Sequence, residues 1–552
     1  MRSRAPRTAT HLAVFGGCLL AAAGCASVLG FEDTTLRSDV SGDGGPIDGD
    51  GSPGEQDGNA LTDGATSRLT TQPSSLVVVR GKTADFTVDV ARGSDVTGTV
   101  TIRLTDLPSG VSATNAVLAP PSASGKVTLT AAAGATLGPK TINLVADGTA
   151  LSPAPIPLLV SEAPGTLDTT FDGDGFVTDL SKGVGSTFFA IATQADGLVL
   201  AAGSGGPAGV PASGWIARRF ALNGVPDAPF TTTTGAALPA DGELRAVAVD
   251  AAGKIILVGS SAPAALQLPQ LTVARLLPTG ALDVSFGGGI VRLPAVESPN
   301  GSIGLGVAVQ ADGAVVVVGS RKDATNVEAG ILTRFTTTGA RDGAFNAGAT
   351  IVIPMARLVG VAVEPTGAIV AAGSTTSGPL PSYLLARRTA QGAADPAFGS
   401  AGTATFGNTY RAQAFVRMAD GSLVVAGDVQ QGAAAYTAGA TTDKGATVFA
   451  PRAFALSPGA GYFGAAAQDA KRIVVAGHTA VVNGEARVER IAVLDGMKDA
   501  TFGAAGTSTL EAAGAANGFD VTLFAAAVHN DGRILVAGNR SNAGAVLYRL
   551  WP

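Results

Sequence analysis

Apolar residues in this chain fall into short runs separated by turn residues, a pattern that indicates β-strands. From Gly165 onward one unit recurs: an apolar strand, a tight turn, and a second apolar run that ends in glycine. The seven ending glycines, spaced about 56 residues apart on average, are Gly203, Gly259, Gly319, Gly373, Gly427, Gly477 and Gly538. The turn is Asp-Gly in four units, which predicts hairpins because this tight turn needs positive φ. Repetition at this period is typical of propellers and other repeat folds.

The second half of each unit is a strand that carries an arginine, followed by the motif Gly-x-x-Asp-x-x-Phe. The motif begins at Gly224, Gly280, Gly339, Gly392 and Gly496, and the arginines ahead of it are Arg219, Arg275, Arg334, Arg387 and Arg490. The unit around Gly427 has lost it. One Asp and one Arg per unit in nearly fixed register favour a structural role over a ring of ligands, because binding residues usually differ between repeats. In that role the Asp accepts turn N–H groups and the Arg pairs with it.

The two ends of the repeat region are offset in a way that predicts a closed ring. The last unit stops at Pro552, just after its arginine strand, and the missing motif stands ahead of the first unit, from Gly165 to Phe171. We therefore expect residues 175–180 to pair with residues 545–550 and complete a seventh four-stranded blade, since a ring leaves no raw sheet ends. The second strands are apolar at every position, as in strands that are covered on both faces. A parallel β-helix is the rival architecture, but its coils are shorter and it does not predict offset ends.

These motifs resemble the delta-60 repeat family of bacterial surface and secreted proteins. Residues 531–538 (Asp-Gly-Arg-Ile-Leu-Val-Ala-Gly) and residues 165–171 (Gly-Thr-Leu-Asp-Thr-Thr-Phe) match the repeat of that family closely. The resemblance covers about 385 residues. It implies a propeller-like fold and no established activity.

Residues 69–162 show a different pattern of short alternating strands, spaced 10 to 20 residues apart with Gly, Pro or Asp between them. About seven strands in such a segment predict an immunoglobulin-like β-sandwich. Residues 107–111 (Leu-Pro-Ser-Gly-Val) resemble a turn of bacterial Ig-like domains. The resemblance implies a spacer or an adhesion unit.

Residues 1–24 are predicted to be a secretory signal peptide, because arginines precede an apolar stretch too short to span a bilayer. Small residues before Cys25 resemble the lipobox of bacterial lipoproteins, although Ala22 stands where Leu is usual. The resemblance implies that Cys25 is acylated and that the exported protein is anchored in the cell envelope. Ala26 favours the outer membrane in some bacteria. A plain signal peptide is the alternative, and Cys18 is the weaker candidate for lipidation.

Composition limits the partners of the chain. Residues 25–68 are rich in Gly and Asp, with nine acids and two bases from residue 32 onward, so we expect a flexible linker. The rest of the chain is close to neutral and has no basic stripe, which argues against a nucleic-acid partner. Only Cys18 and Cys25 occur, so no intramolecular disulfide remains after cleavage at Cys25.

No motif marks the chain as an enzyme. His478 and His529 fall in different units, so we expect surface residues and not a zinc site. Residues 301–306 are Gly-rich but lack the Lys and the helix of a phosphate loop, which predicts an ordinary loop. The Asp-Gly-Asp-Gly run at residues 172–175 predicts a turn and not a calcium site. Cys25 is therefore the single predicted site residue, and no catalytic residue, cofactor or metal is expected.

Together these patterns predict an all-β protein: a seven-bladed β-propeller over residues 163–552, preceded by the Ig-like sandwich. Its expected function is non-catalytic binding or scaffolding of an unidentified protein or glycan, with specificity in the loops at residues 207–213, 429–443 and 539–543. One alternative is a propeller-type enzyme, a hydrolase, lactonase or quinoprotein-like dehydrogenase, whose site would need polar groups that converge on the central channel. The other is a purely structural envelope component.

Overall fold

The computed structural model describes residues 67–206, 214–262, 267–377, 380–407, 410–429, 436–441, 444–453, 461–478, 485–511 and 521–552. The described chain is nearly all β, with 36 strands and a single α-helix. The predicted signal peptide, Cys25 and nearly all of the predicted linker lie outside the described residues.

The first nine strands form two sheets around one core. They are β1 (Arg68–Gln72), β2 (Leu76–Val79), β3 (Thr83–Ala91), β4 (Val100–Thr105), β5 (Val111–Ala113), β6 (Ala116–Leu118), β7 (Ser124–Ala131), β8 (Gly138–Asp147) and β9 (Ala154–Ser161). The sheet orders are β1-β3-β7-β5 and β2-β9-β8-β4-β6. Alternate residues of the strands are buried between the sheets, such as Phe86 and Val127 from one and Ile102 and Ile142 from the other. This alternation is expected where each sheet covers the core with one face only.

Seven further sheets follow. The strands of the first three sheets are β11 (Thr187–Thr193), β12 (Val199–Ser204) and β13 (Trp215–Phe220); β14 (Glu243–Val249), β15 (Ile255–Ser261), β16 (Gln270–Leu276) and β17 (Ile290–Arg292); and β18 (Ser302–Val309), β19 (Val315–Lys322), β20 (Glu328–Phe335) and β21 (Ile351–Pro354). The next two consist of β22 (Ala356–Val363), β23 (Ile369–Thr375), β24 (Tyr383–Arg388) and β25 (Thr403–Phe406), and of β26 (Tyr410–Arg417), β27 (Leu423–Val429), β28 (Tyr436–Thr441) and β29 (Thr447–Ala453). The last two consist of β30 (Gly461–Ala467), β31 (Arg472–His478), β32 (Ala486–Ala492) and β33 (Thr507–Glu511), and of β34 (Val521–Val528), β35 (Ile534–Arg540), β36 (Gly544–Leu550) and β10 (Phe176–Asp179).

The first strands of these sheets contact one another in sequence order, and the cycle is completed where β34 contacts β11. Apolar cores lie between consecutive sheets, so the second strands are buried on both faces, as the continuous apolar runs predict. The unit that lost its motif still forms a four-stranded sheet, β26 to β29.

The predicted pairing of the two ends is confirmed. Strand β10 pairs antiparallel with β36, and Phe176 lies opposite Tyr548. Further backbone hydrogen bonds from Gly165 to Trp551 and from Asp168 to Arg549 extend the junction. The final sheet is therefore built from both ends of the repeat region.

One sheet differs from the prediction of four strands in every unit. The first sheet has three, and helix α1 (Ala228–Ala237) packs beside β13 instead of a fourth. The sequence favours a helix here because Asp227 accepts a hydrogen bond from the Phe230 N–H at the N-terminus and Pro229 occupies the first turn. Phe230 is fully buried, which holds the helix over the edge of β13.

Candidate functional site

A β-bulge interrupts the first strand of each of the seven sheets. The extra residues, called the bulge ring below, are Phe189, Arg245, Leu305, Val359, Gln413, Phe463 and Phe524. The bulge changes the face to which the following side chains point: Phe188 and Ile191 pack in the same core although they are three residues apart. Bulges commonly re-aim side chains at functional sites.

The ending glycines explain the bulges. Each follows its bulge-ring residue by fourteen positions and pairs with the residue just before the bulge. A Cβ at Gly373 would lie 1.9 Å from the Arg357 carbonyl oxygen, and the other six glycines have equivalent contacts at 1.8–1.9 Å. Only glycine permits this approach of the second strand to the bulged first strand.

Aromatic members of the bulge ring contact one another across sheets. The Phe524 ring centroid lies 5.0 Å from that of Phe189 and 5.6 Å from that of Phe463. The Arg245 guanidinium stands 4.0 Å from the Phe189 centroid, and His478 stacks on Phe463 at 4.8 Å. The sixth, seventh, first and second sheets therefore form a continuous aromatic arc with one cation–π contact.

Small residues allow the first strands to approach closely. The residue after every bulge is Ala or Gly: Ala190, Ala246, Gly306, Gly360, Ala414, Gly464 and Ala525. A Cβ at Gly464 would lie 2.4 Å from the Ala525 carbonyl carbon. The first strands are therefore closely packed, and the seven bulge-ring residues beside them are half-buried.

A polar pocket of about 480 Å³ opens beside Gln413, at the end of the sheets where the first strands begin; we call this end the upper face. It is lined by Glu328, Arg357, Ser374, Thr375, Thr376, Pro381, Arg411 and Gln413. Arg357 and Arg411 hold equivalent places on adjacent first strands, each two residues before its bulge-ring residue.

Both pocket arginines are paired with acids. Arg357 Nη1 lies 3.1 Å from Glu328 Oε1, and Arg411 Nη2 lies 3.1 Å from Asp428 Oδ2. The Gln413 side-chain amide donates to Asp428 Oδ1 at 2.9 Å. The pocket is thus close to neutral in net charge but rich in oriented donors and acceptors.

Asp428 stands directly after an ending glycine, at a position that is serine in the first four sheets. The residue after the ending glycine is Ser204, Ser260, Ser320 and Ser374 in the first four sheets, and Asp428, His478 and Asn539 in the last three. The Ser374 hydroxyl accepts the Ala412 N–H of the next sheet at 2.6 Å, and the Ser204 hydroxyl accepts the equivalent Leu244 N–H. Ser204 and Ser374 therefore join sheets, whereas Asp428 holds the pocket side chains Arg411 and Gln413.

The repeated Arg and Asp residues are structural partners within their sheets. Asp283 Oδ2 lies 2.9 Å from Arg275 Nε, and its Oδ1 accepts the Ser285 N–H in the following turn. Four further units have the same pairing, between Arg219 and Asp227, Arg334 and Asp342, Arg387 and Asp395, and Arg490 and Asp499. Arg275 also stands 4.6 Å from the centroid of Phe286. The geometry agrees with the predicted structural role of this motif.

The motif glycine joins each sheet to the one before it. At Gly339, where φ is +81°, a Cβ would lie 2.9 Å from Gly287 N and 3.2 Å from the Phe286 ring. Gly445 takes this position in the unit that lost the motif, against Phe398.

A buried charged network closes the seventh sheet. Asp168 Oδ2 lies 3.0 Å from Arg533 Nη1 and 2.7 Å from Arg549 Nε, and all three side chains are almost fully buried. Burial opposes ionisation of Asp531, but hydrogen bonds from His529 and Arg533 outweigh it and hold the pKa of Asp531 well below its usual value. Burial, and then the nearby Arg533 charge, lower the pKa of Arg549 to about 10, which leaves it charged at neutral pH.

The prediction that both histidines lie on the surface is wrong. His478 is 3 % exposed because it stacks on Phe463, and His529 is 4 % exposed in the junction between the seventh and first sheets. There His529 Nδ1 lies 2.8 Å from Asp531 and Nε2 lies 3.0 Å from the Gly197 carbonyl oxygen. His478 also lies 6.4 Å from Phe524 of the seventh sheet, from ring centroid to ring centroid, so both histidines belong to contacts between sheets.

Two loop predictions are also corrected. Residues 301–306 are mostly part of β18, and Gly304 and Gly306 flank its bulge where a side chain would collide with neighbouring strands. The predicted loop at residues 429–443 contains β28. The predicted loop at residues 539–543 begins inside β35, where the Asn539 side-chain amide donates to the Ser186 carbonyl oxygen. Residues 207–213 lie outside the described residues, whereas residues 172–175 form the predicted turn.

The described residues contain neither a candidate metal cluster nor a helix that could span a membrane. In that part of the chain, His, Cys, Asp and Glu form no group of three or more that could hold a metal ion. None of the helices described there is both long and apolar enough to cross a membrane. The bulge ring contains one cation, one amide and five apolar residues.

The fold and the bulge ring define a nearly all-β protein with propeller-like sheets. Residues 253–286 match the model of a family described as a β-propeller domain of unknown function, DUF5122. This match spans the turn of the second sheet to its motif phenylalanine, Phe286. No curated protein matches the chain.

Solved structures give distant likenesses. Domains 4 and 5 of the S-layer protein SbsC match at 16 % identity and a TM-score of 0.13, over 17 % of this chain and 50 % of that one. Domains 5–6 of SbsC match at 14 % identity and a TM-score of 0.14, over 41 % of this chain and 95 % of that one. Elastase-activated Escherichia coli alpha-2-macroglobulin matches at 8 % identity and a TM-score of 0.18, over 88 % of this chain and 50 % of that one. This chain thus spans about half the length of the first of these structures.

Proposed function

We propose that the protein is an exported lipoprotein that presents a seven-bladed β-propeller as a non-catalytic binding or scaffold module. Delta-60-type repeats form the blades, the preceding two sheets form an Ig-like spacer, and acylated Cys25 anchors the chain in the cell envelope at the outer membrane. The ligand is a protein or a glycan outside the membrane.

The contrast between the two ends of the sheets carries this proposal. At the motif end, the repeated Arg and Asp residues are used in pairs that hold the blades. At the upper face, equivalent positions differ from blade to blade, and they include Arg357, Arg411, Asp428 and Gln413 around an open pocket. Position-specific variation on a constant scaffold is typical of recognition surfaces.

Retention of envelope components tests the binding function. Full-length protein would be immobilised and exposed to envelope proteins and glycans, and Gln413→Leu would be compared with Gln391→Leu. Gln391 is exposed in the motif turn of the fourth sheet, at the opposite end from the pocket. We expect one retained component to be lost with the first variant and kept with the second. Equal retention by both would refute a binding site at the upper face.

Lipid labelling tests the anchor. Cells that produce the wild type or Cys25→Ser would be fed a labelled fatty acid and then fractionated. We expect label and membrane association in the wild type and neither in the variant. Cys18→Ser is the matched control and should keep both. Label that survives in Cys25→Ser would refute the assignment of Cys25.

A further inference from the structure

We propose that the pocket beside Gln413 binds a carboxylate-bearing sugar unit of an acidic polysaccharide. This inference rests on the binding function proposed above and names its ligand class.

The two pocket arginines supply the carboxylate site. Arg357 contacts Glu328 through Nη1 alone, and Arg411 contacts Asp428 through Nε and Nη2. A guanidinium has five N–H donors, so each arginine retains donors beyond these contacts. The planar guanidinium is suited to paired hydrogen bonds with a carboxylate. Both side chains are partly exposed, at 39 % and 46 %, so a ligand can reach them.

The rest of the lining suits hydroxyl groups. Thr375, Thr376 and Gln413 offer hydroxyl and amide groups, and the Glu328 carboxylate accepts hydrogen bonds. Among the described residues that line the pocket, Pro381 is the one apolar residue, whereas peptide ligands are usually anchored by apolar or aromatic side chains in apolar pockets. A ligand with many hydroxyls and one carboxylate therefore fits this donor and acceptor set better than a peptide does.

Size and local charge narrow the ligand further. The volume of about 480 Å³ lies within the range of roughly 300–1,000 Å³ that is typical of small-molecule sites. Glu328 and Asp428 offset the two arginines, so the pocket has no strong positive field to attract a polyphosphate chain. A sugar unit with a single carboxylate therefore suits the pocket better than a chain of phosphates does.

Calorimetric titration of the full-length protein with oligogalacturonate is the test. We expect binding in the wild type, and a loss of affinity of about tenfold or more in Arg357→Gln/Arg411→Gln, because charged hydrogen bonds are removed. The control is Arg487→Gln, which removes an arginine that is ion-paired at the start of β32 and lies outside the pocket. Its affinity should stay within about twofold of the wild type. Unchanged thermal midpoints would establish that the variants fold.

Two probes separate sugar recognition from plain anion binding. The carboxyl-reduced oligosaccharide should bind about tenfold more weakly or worse than oligogalacturonate, and inorganic phosphate at equal concentration should not displace the acidic form. Equal binding of the reduced sugar, or displacement by phosphate, would overturn the proposal. A partner retained through Gln413 without any uronate binding would overturn the ligand class and leave the binding function standing. No retained partner of any kind would overturn both.

Discussion

The junction between the chain ends gives the sharpest stability prediction. Asp168 is the acid between two buried arginines of the opposite chain end, Arg533 and Arg549. Asp168→Ala would leave both guanidinium groups buried without this carboxylate. Removal of one partner from a buried ion pair costs about 3–5 kcal/mol, so we expect a loss in this range in the free energy of unfolding.

Asp342 provides a matched control inside the ring. It holds the same motif position and pairs with Arg334 at 2.7 Å, but all four strands of its sheet, β18 to β21, follow one another in the chain. Arg334 and Asp342 are also more exposed, at 9 % and 16 %, than Asp168, Arg533 and Arg549, which are at most 2 % exposed. We therefore expect Asp342→Ala to cost about 1.5–3 kcal/mol.

Equilibrium unfolding in urea would measure the two free energies, and native-state hydrogen exchange would locate the opening. In Asp168→Ala, the β10 amides that pair with β36 should lose protection before those of β21. An equal or larger loss of stability in Asp342→Ala, with β10 still protected, would refute the idea that this network holds the ring closed.

Three further predictions follow from local geometry. Gly373→Ala should destabilise by about 3 kcal/mol or more in thermal or urea unfolding, because its Cβ would meet a carbonyl oxygen at 1.9 Å, whereas Gly343→Ala, with nothing within 4 Å, should be nearly neutral. Burial opposes ionisation of Asp499, but hydrogen bonds from Thr501 and the charge of Arg490 outweigh burial and lower the pKa of Asp499 to about 2. The stability that ionised Asp499 gives the folded protein is therefore complete above the unfolded pKa of 3.8 and is lost as pH falls toward 2. Asp499→Asn should flatten the dependence of the free energy of unfolding on pH in that window. Phe524→Ala should weaken the aromatic arc by about 1–3 kcal/mol in unfolding assays and leave sheet content by circular dichroism unchanged.

Several features of the fold could be predicted from single units. Apolar runs and Asp-Gly turns identified the hairpins, and the offset motif identified β10 as the partner of β36. The structural role of Asp283 and its equivalents followed from their fixed register, and the distances agree with it. These features depend on backbone preference and strand pairing that repeat in every unit, so each unit supplies an independent copy of the signal.

The candidate site could be predicted only in part. Arg357, Arg411 and Asp428 come from two units, and Glu328 comes from a third, so no local spacing marks them as a group. The aromatic arc consists of Phe189, Phe463 and Phe524, which belong to three different units and lie far apart in the sequence. Their constant distance from the ending glycines was a signal in the sequence, but its meaning required the bulge.

The sequence by itself determined the number of repeats and the alternation of strands and turns, because these depend on contacts within one unit. It also determined the complementarity of the two chain ends, because the motif that is missing at one end is present at the other. The tertiary structure alone decided which side chains meet at the centre and around the pocket. A bulge shifts strand register by one residue and so exchanges the faces of every following side chain. The close approach of seven first strands then brings together residues that are hundreds of positions apart, and it buries both histidines between sheets.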